Sequence, residues 1–220
     1  MADKKIFIHL VMHHFRQEWK QRHAFFGLVL YCAATIFIAY LAFRNSIDTV
    51  TWNALFWIIM LFASVNTLAK SFLSESRGRQ LYYYSLVSAS VFYLSKLFYG
   101  VILMLVLSLI SLGIYAVLNG TPAWNLGSYL ASMLTGITGF AITLTMISAI
   151  TAKSGSQASM MAILGFPVLI PMLILIIKIS ARTIDGLSIF DFPKDFILLT
   201  ALLAMATALS YILFPYIWRD

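Results

Sequence analysis

Six long stretches of this chain contain no Asp, Glu, Lys, Arg or His. Each is near or above the roughly 20 apolar residues that a helix needs to cross the hydrocarbon core of a bilayer. Their apolar character is continuous rather than alternating, which excludes an outer-membrane β-barrel. The stretches are Phe25–Phe43, Trp52–Ala69, Leu97–Leu118, Leu126–Ala152, Ala158–Ile177 and Phe196–Ile217. The sequence therefore predicts six membrane-spanning helices.

The low proportion of charged residues indicates the same class of protein. Only 10% of the 220 residues are charged, against roughly 25% in ordinary soluble domains. A soluble core cannot hide this much apolar surface, and in lipid only helices and closed barrels satisfy the backbone. We expect an all-α polytopic membrane protein with one domain over residues 1–220.

The charged residues are distributed unevenly between the two membrane faces. With the N-terminus on side A, that side holds eleven Lys and Arg and four acidic residues, whereas side B holds four of each. The side A segments are 1–24, 70–96, 153–157 and 218–220, and the side B segments are 44–51, 119–125 and 178–195. By the positive-inside rule, side A is the cytoplasm and both termini lie there. Anionic membrane lipid accounts for the basic balance, so no nucleic-acid partner is expected.

Residues Asp3–His23 are predicted to form an amphipathic helix on the surface of side A. By helical spacing the polar side consists of Lys5, His9, His13, Arg16 and Lys20. The apolar side consists of Phe7, Leu10, Val11, Phe15 and Trp19. This pattern is typical of an interfacial helix. A juxtamembrane helix that packs on the bundle fits the same sequence.

All four histidines, His9, His13, His14 and His23, precede the first span. His9 and His13 are four residues apart, but no acidic residue or cysteine completes a metal site with them. His14 lies in the apolar sector, four residues from Glu18, with which it could pair. We expect structural roles for all four. The single cysteine, Cys32, excludes an intramolecular disulfide.

Two loops are long enough to carry contacts with other proteins. Residues Lys70–Lys96 form the longer one, on side A, with two short interfacial segments around the turn Arg77-Gly78-Arg79. This loop would offer a handle to a cytoplasmic partner. The second loop, Lys178–Asp195, faces side B, and its Asp191-Phe192-Pro193 sequence is expected to stop any helix.

Two spans have distinctive compositions. The fourth carries two lines of small and hydroxyl residues, which predict close helix packing in lipid. These lines are Ser128, Ser132 and Gly136, and Thr135, Gly139 and Thr143. The fifth carries Pro167 and Pro171, which remove backbone hydrogen bonds and kink a helix. The kink fits a structural role and a moving part equally well.

The chain lacks the motifs of a membrane enzyme or an ATPase. It contains no GxxxxGK[ST], HExxH or GxSxG sequence, so neither a P-loop nor a known hydrolase site is expected. The spans contain no ionisable residue of the kind on which ion-coupled carriers depend. We expect no catalytic residue and no metal site, and any transport would draw its energy from a partner.

The chain resembles the haem exporter protein B family (CcmB), permease subunits of ABC type that act in cytochrome c maturation. The stretches Phe62–Met104 and Ala149–Ile177 carry the likeness, with six spans, a polar loop after the second and a double-proline fifth. Phe72 and Lys96 occupy characteristic positions. The family's frequent Leu-Pro-Leu-Pro run is replaced here by Val87–Ser90, and Ala69 stands where an acid is common.

The resemblance implies an ABC-2-like permease in the bacterial inner membrane, with haem as a transported or handled ligand. The implied partners are a cytoplasmic ATPase (CcmA-like), a haem-handling membrane protein (CcmC-like) and a haem chaperone (CcmE-like). Six spans are half of a usual ABC transmembrane unit, so a second permease copy or a different membrane partner is also expected. The ATPase is expected to dock on the loop Lys70–Lys96, through Glu75, Ser76, Arg77, Arg79 and Lys96. An exporter of lipid, polysaccharide or drug and a non-transporting assembly scaffold are the alternatives.

Overall fold

The computed structural model describes residues 2–20, 22–43, 47–68, 87–122, 125–152 and 157–219. In these ranges the chain forms seven α-helices and one 3-10 turn, with no strand. The helices are α1 (Ala2–Lys20), α2 (Arg22–Phe43), α3 (Thr49–Leu68), α4 (Ala89–Asn119), α5 (Leu126–Thr151), α6 (Gln157–Ile184) and α7 (Pro193–Arg219). The 3-10 turn, Ile189–Asp191, lies between α6 and α7.

Within the described ranges, the six helices α2 to α7 are long and apolar enough to cross a membrane. They correspond one by one to the six charge-free stretches of the sequence. The prediction of an all-α polytopic membrane protein is therefore confirmed.

Helix α5 is the centre of the bundle. In its most apolar window 78% of the residues are buried, against 11% for α2 and for α7. Its small residues permit this burial, because Gly136 faces Trp57 of α3 and Ile176 of α6, and Gly139 faces Met172 of α6. The predicted packing role of the fourth span is confirmed. Helices α2 and α7 leave most of their surface exposed.

Helix α4 is longer than the hydrocarbon core is thick. Its 31 residues span about 46 Å at 1.5 Å per residue, whereas the core measures about 30 Å. It begins at Ala89, so the last eight residues of the predicted loop Lys70–Lys96 are helical. The predicted loop therefore ends earlier than Lys96, whereas an interfacial position for this segment stays a prediction. We refer to Ala89–Tyr99 as the α4 extension.

The predicted loop Lys178–Asp195 is shorter in the structure. Helix α6 continues to Ile184 and α7 begins at Pro193, so only residues 185–192 connect them. Gly186 has a φ of 89°, a value that suits glycine at the end of a helix. The expected helix break is present, but Pro193 starts α7, as proline does at a first helical position.

Asp195 of α7 joins the two helices at this connection on side B. Its two carboxylate oxygens lie 2.9 Å from Lys178 Nζ and 2.6 Å from Arg182 Nη1, both on α6. The Arg182 guanidinium also lies 5.2 Å from the centre of the Phe192 ring. These contacts hold the end of α6 to the beginning of α7.

Candidate functional site

Three helices meet at the α4 extension, on side A. Helix α1 contacts one flank and the C-terminal end of α7 contacts the other. We call this cluster the α4 junction; it comprises His14, Phe92, Tyr93, Lys96, Tyr99, Phe214 and Trp218. The ring centres of Phe92 and Trp218 are 4.6 Å apart, and those of Tyr93 and Phe214 are 4.8 Å apart. Contacts with α7 thus bury apolar residues that in sequence resemble an interfacial loop.

Helix α1 packs on the α4 extension through aromatic contacts. The ring centres of Phe7 and Phe98 are 5.9 Å apart, and those of Phe15 and Tyr99 are 5.2 Å apart. Leu10, which lies between Phe7 and Phe15 in the sequence, is buried, whereas Ile8 and Met12 are exposed. The N-terminal segment was predicted to be either an interfacial helix or a helix packed on the bundle, and the structure shows that it packs on the bundle. Its exposed apolar residues are also compatible with an interfacial helix.

His14 is the histidine that α1 buries. It is 7% exposed, and its ring centre lies 6.3 Å from that of Phe92 and 5.9 Å from that of Tyr99. Burial, with smaller contributions from the positive charges of Lys96 and His13, lowers the pKa of His14 to about 3. The imidazole is therefore neutral at physiological pH. Pairing with Glu18 stays a prediction, because the Glu18 side chain lies outside the described part of the structure.

The sequence suggested that Lys96 is an exposed loop residue, but the structure shows that it is not. It is 3% exposed within α4, and its Nζ lies 5.6 Å from the centre of the Phe92 ring. A lysine stem packs readily along apolar surface, and an aromatic face attracts its charge. Lys96 therefore belongs to the α4 junction, close to His14, and is shielded from a docking partner.

Acidification is expected to loosen α1 from the α4 extension. A histidine in an unfolded chain titrates near pH 6.5, whereas buried His14 has a pKa of about 3. Between these values the undocked state binds more protons, so docking weakens as pH falls, by up to about 1.4 kcal/mol per pH unit. The measurement is the distance distribution between spin labels at positions 9 and 94, recorded at about pH 7 and about pH 5.

The matched control for this prediction is His14→Phe, which keeps an aromatic ring and removes the titratable group. Its distance distribution should not change over the same pH range. An equal response of the wild type and the variant would contradict the assignment of the pH dependence to His14.

The remaining predicted site residues are placed as follows. Glu75, Ser76, Arg77 and Arg79 lie outside the described residues. His9, His13 and His23 are exposed, and structural roles for them stay a prediction. In the described part of the chain, no three His, Cys, Asp or Glu residues come together in a way that could hold a metal.

Pro167 and Pro171 lie within α6, which the structure describes as one continuous helix. Both residues are exposed. Below them toward side B, α6 is held by polar contacts with α3, α5 and α7. The prolines therefore lie between the fixed end of α6 and its start on side A.

A buried polar cluster fixes that end of α6 to α3. Trp57 Nε1 donates to Ser180 Oγ over 2.8 Å, and Asn53 Oδ1 lies 2.9 Å from the same hydroxyl oxygen. Asn53 Nδ2 donates to the Ile177 carbonyl over 2.9 Å. All three side chains are fully buried. We call Asn53, Trp57 and Ser180 the polar triad.

One residue of the polar triad, Asn53, has a signal in the sequence. Asn53 is an amide inside a span, and such a group needs a hydrogen-bonding partner on a neighbouring helix. The identity of that partner, Ser180, depends on the packing of α3 against α6. The contacts of His14 with Phe92 and Tyr99 have no local signal in the sequence for a related reason, since only the docking of α1 on α4 brings these residues together.

Two cavities open on side B. The larger, of about 400 Å³, lies between the beginnings of α5 and α7 and has mostly apolar walls. The smaller, of about 240 Å³, lies between the ends of α2 and α4. Residues on the first include Gly127, Phe190 and Phe196, and residues on the second include Tyr40 and Asn119.

Comparison with known proteins identifies the chain's family. No curated protein and no solved structure matches it. The model of the family described as "CcmB protein" matches residues 5–217, nearly the whole chain. The match includes most of α1, all six spans and every residue of the α4 junction except Trp218. With six spanning helices in its structure, this chain belongs to the CcmB family of membrane permeases of cytochrome c biogenesis.

Proposed function

We propose that the chain is the permease subunit of an ABC-type complex that exports haem or releases the haem-loaded chaperone during cytochrome c maturation. The family match over residues 5–217 carries this proposal. The spans support it, because they contain no ionisable residue for ion coupling. ATP hydrolysis then belongs to a separate CcmA-like subunit. CcmC-like and CcmE-like proteins handle haem beside this chain, and a second permease copy completes the complex.

The proposed location is the bacterial inner membrane, with side A in the cytoplasm. The excess of Lys and Arg on side A supports this orientation. Both chain termini and the start of the α4 extension then face the ATPase, and the α6–α7 connection faces the opposite compartment.

The proposed route of coupling runs from the loop into α4. Glu75, Ser76, Arg77 and Arg79 would contact the ATPase, and the loop leads into α4 at Ala89. Movement of the loop would therefore reach the α4 junction first. From there the contacts with His14 and Trp218 would pass it to α1 and α7.

Pro167 and Pro171 are the second element of this proposal. The side B end of α6 is held by the polar triad and by Asp195, whereas the described side chains just before the prolines, at 163–166, are apolar and form no such contact. Each proline removes a backbone hydrogen bond, which weakens the helix at that point. We propose that α6 bends here when the complex moves.

A complementation experiment tests the function and both elements of the mechanism. A deletion strain is supplied with the wild type, with Arg77→Glu/Arg79→Glu or with Pro167→Ala/Pro171→Ala, and membranes are stained for covalently bound haem. The wild type should restore the stain, and both variants should fail at wild-type abundance. Lys194→Glu, an exposed charge reversal on side B, serves as the control and should complement.

The alternatives give different results in the same strain. An exporter of lipid, polysaccharide or drug predicts normal haem staining without the gene. A scaffold predicts that deletion of the ATPase gene leaves staining intact. Full complementation by the loop variant would remove the proposed docking site, and full complementation by the proline variant would remove the proposed bend.

A further inference from the structure

Helix α1 has three distinct sides rather than two. The first faces the α4 extension and includes the buried residues Leu10 and His14. The second carries exposed apolar side chains, with Ile8, Met12 and Phe15 being 52%, 55% and 38% exposed. The third side is polar and basic. It holds the exposed residues His9, His13 and Arg16, with Lys5 and Lys20 in the same sector by helical spacing.

The second side is an exposed apolar stripe at the level of the membrane boundary. Helix α1 ends at Lys20 and α2 begins at Arg22, so the two helices are separated by a single residue. The first apolar span begins at His23. The end of α1 is therefore fixed at the surface of the bilayer on side A, where an exposed apolar stripe meets either acyl chains or water.

We propose that α1 binds the anionic lipid of the side A leaflet. Its apolar stripe enters the boundary of the acyl chains, and its basic side binds phosphate headgroups. An apolar stripe directly beside a basic one is the arrangement that suits an interfacial helix on anionic lipid. The continuity of α1 with α2 and the complementarity of charge favour lipid over a protein as the occupant.

The contact of the first side of α1 with the α4 extension gives this lipid binding a consequence. The same helix that lies in the leaflet holds the α4 extension through His14 and Phe7. Loss of anionic lipid would therefore lift α1 and weaken its contact with α4. The lipid composition of the leaflet thus sets how firmly the α4 extension is held.

This inference does not depend on the proposed function, and its test contains no ATPase, haem or other protein. The full chain carries Cys32→Ser, which removes its one cysteine. It is reconstituted in vesicles of phosphatidylcholine, with or without phosphatidylglycerol. A nitroxide is attached at Met12→Cys or, as a matched control on the same helix, at His9→Cys. Collision with oxygen, which concentrates in lipid, is compared with collision with a water-soluble nickel chelate.

The label at position 12 should collide mainly with oxygen when phosphatidylglycerol is present and shift toward the chelate when it is absent. The label at position 9 should favour the chelate in both vesicles. Arg16→Gln should lower the equilibrium constant for binding of α1 to the phosphatidylglycerol-containing vesicle surface about fivefold, as expected for one charge near an anionic surface. Access of the chelate to position 12 in both vesicles, or equal protection in both, would overturn the proposal.

Discussion

Gly136→Leu is expected to destabilise the bundle by about 3 kcal/mol or more, at the upper end of the range for overpacked cores. A Cβ atom at this position would lie 2.8 Å from Trp57 Cη2 and 2.9 Å from Ile176 Cδ1. Trp57 cannot easily move aside, because its ring nitrogen is bonded to Ser180. The substitution forces α5 away from α3 and α6 together.

The measurement for Gly136→Leu is denaturant unfolding in detergent micelles, followed by tryptophan fluorescence. The matched control is Gly113→Leu, on α4, where a Cβ would meet nothing within 4 Å. Leucine also favours helix over glycine by roughly 1 kcal/mol, so the control should be neutral or slightly more stable. Similar midpoints for the two variants would show that α5 does not need close packing at Gly136.

Ser180→Ala is expected to have the second-largest effect, a loss of about 1–3 kcal/mol, because it leaves buried polar groups without a partner. The Trp57 ring nitrogen loses its acceptor, and Asn53 Oδ1 loses a hydroxyl at 2.9 Å whose single proton it shares with the Ile176 carbonyl at 2.7 Å. In lipid an interhelical hydrogen bond contributes about 0.6 kcal/mol on average. A larger loss is expected here because one hydroxyl serves two buried side chains.

The control for this variant is Ser108→Ala. That hydroxyl is also fully buried, but it bonds only to the Leu105 carbonyl of its own helix. A double-mutant cycle with Trp57→Phe sharpens the test, because the phenylalanine ring has no donor. Ser180→Ala should cost less in the Trp57→Phe background. Equal costs in the two backgrounds would mean that the Trp57–Ser180 bond contributes nothing to stability.

The sequence predicted the spans because lipid imposes a strong and local requirement on composition. Each of the six stretches was found without knowledge of its neighbours. The ends of the helices were less predictable, as α4 shows. The sequence pattern puts a span boundary at Lys96, but Trp218 and Phe214 pack on Phe92 and Tyr93 in the preceding turn, which is buried and helical. Such a boundary depends on residues that are distant in sequence.

The candidate site was predictable only in part for the same reason. The docking of a partner on the loop Lys70–Lys96 stays a prediction, because residues 69–86 lie outside the described part of the structure. The contact of His14 with the α4 extension depends on how α1 docks, and helical spacing alone put His14 on an apolar side. The polar triad requires the register of α3 against α6, which no local pattern in either span reveals.

The burial of α3 and α5 has a consequence for how the chain enters the membrane during synthesis. These are the two most buried spans, and their apolar windows are also the least hydrophobic of the six. A less hydrophobic helix gains less free energy when it moves from the translocon into lipid. Each follows a more apolar helix, α2 or α4, against which it packs. The chain is therefore suited to enter the bilayer as successive helical hairpins, in which the first helix of each pair supplies the second with its apolar surroundings.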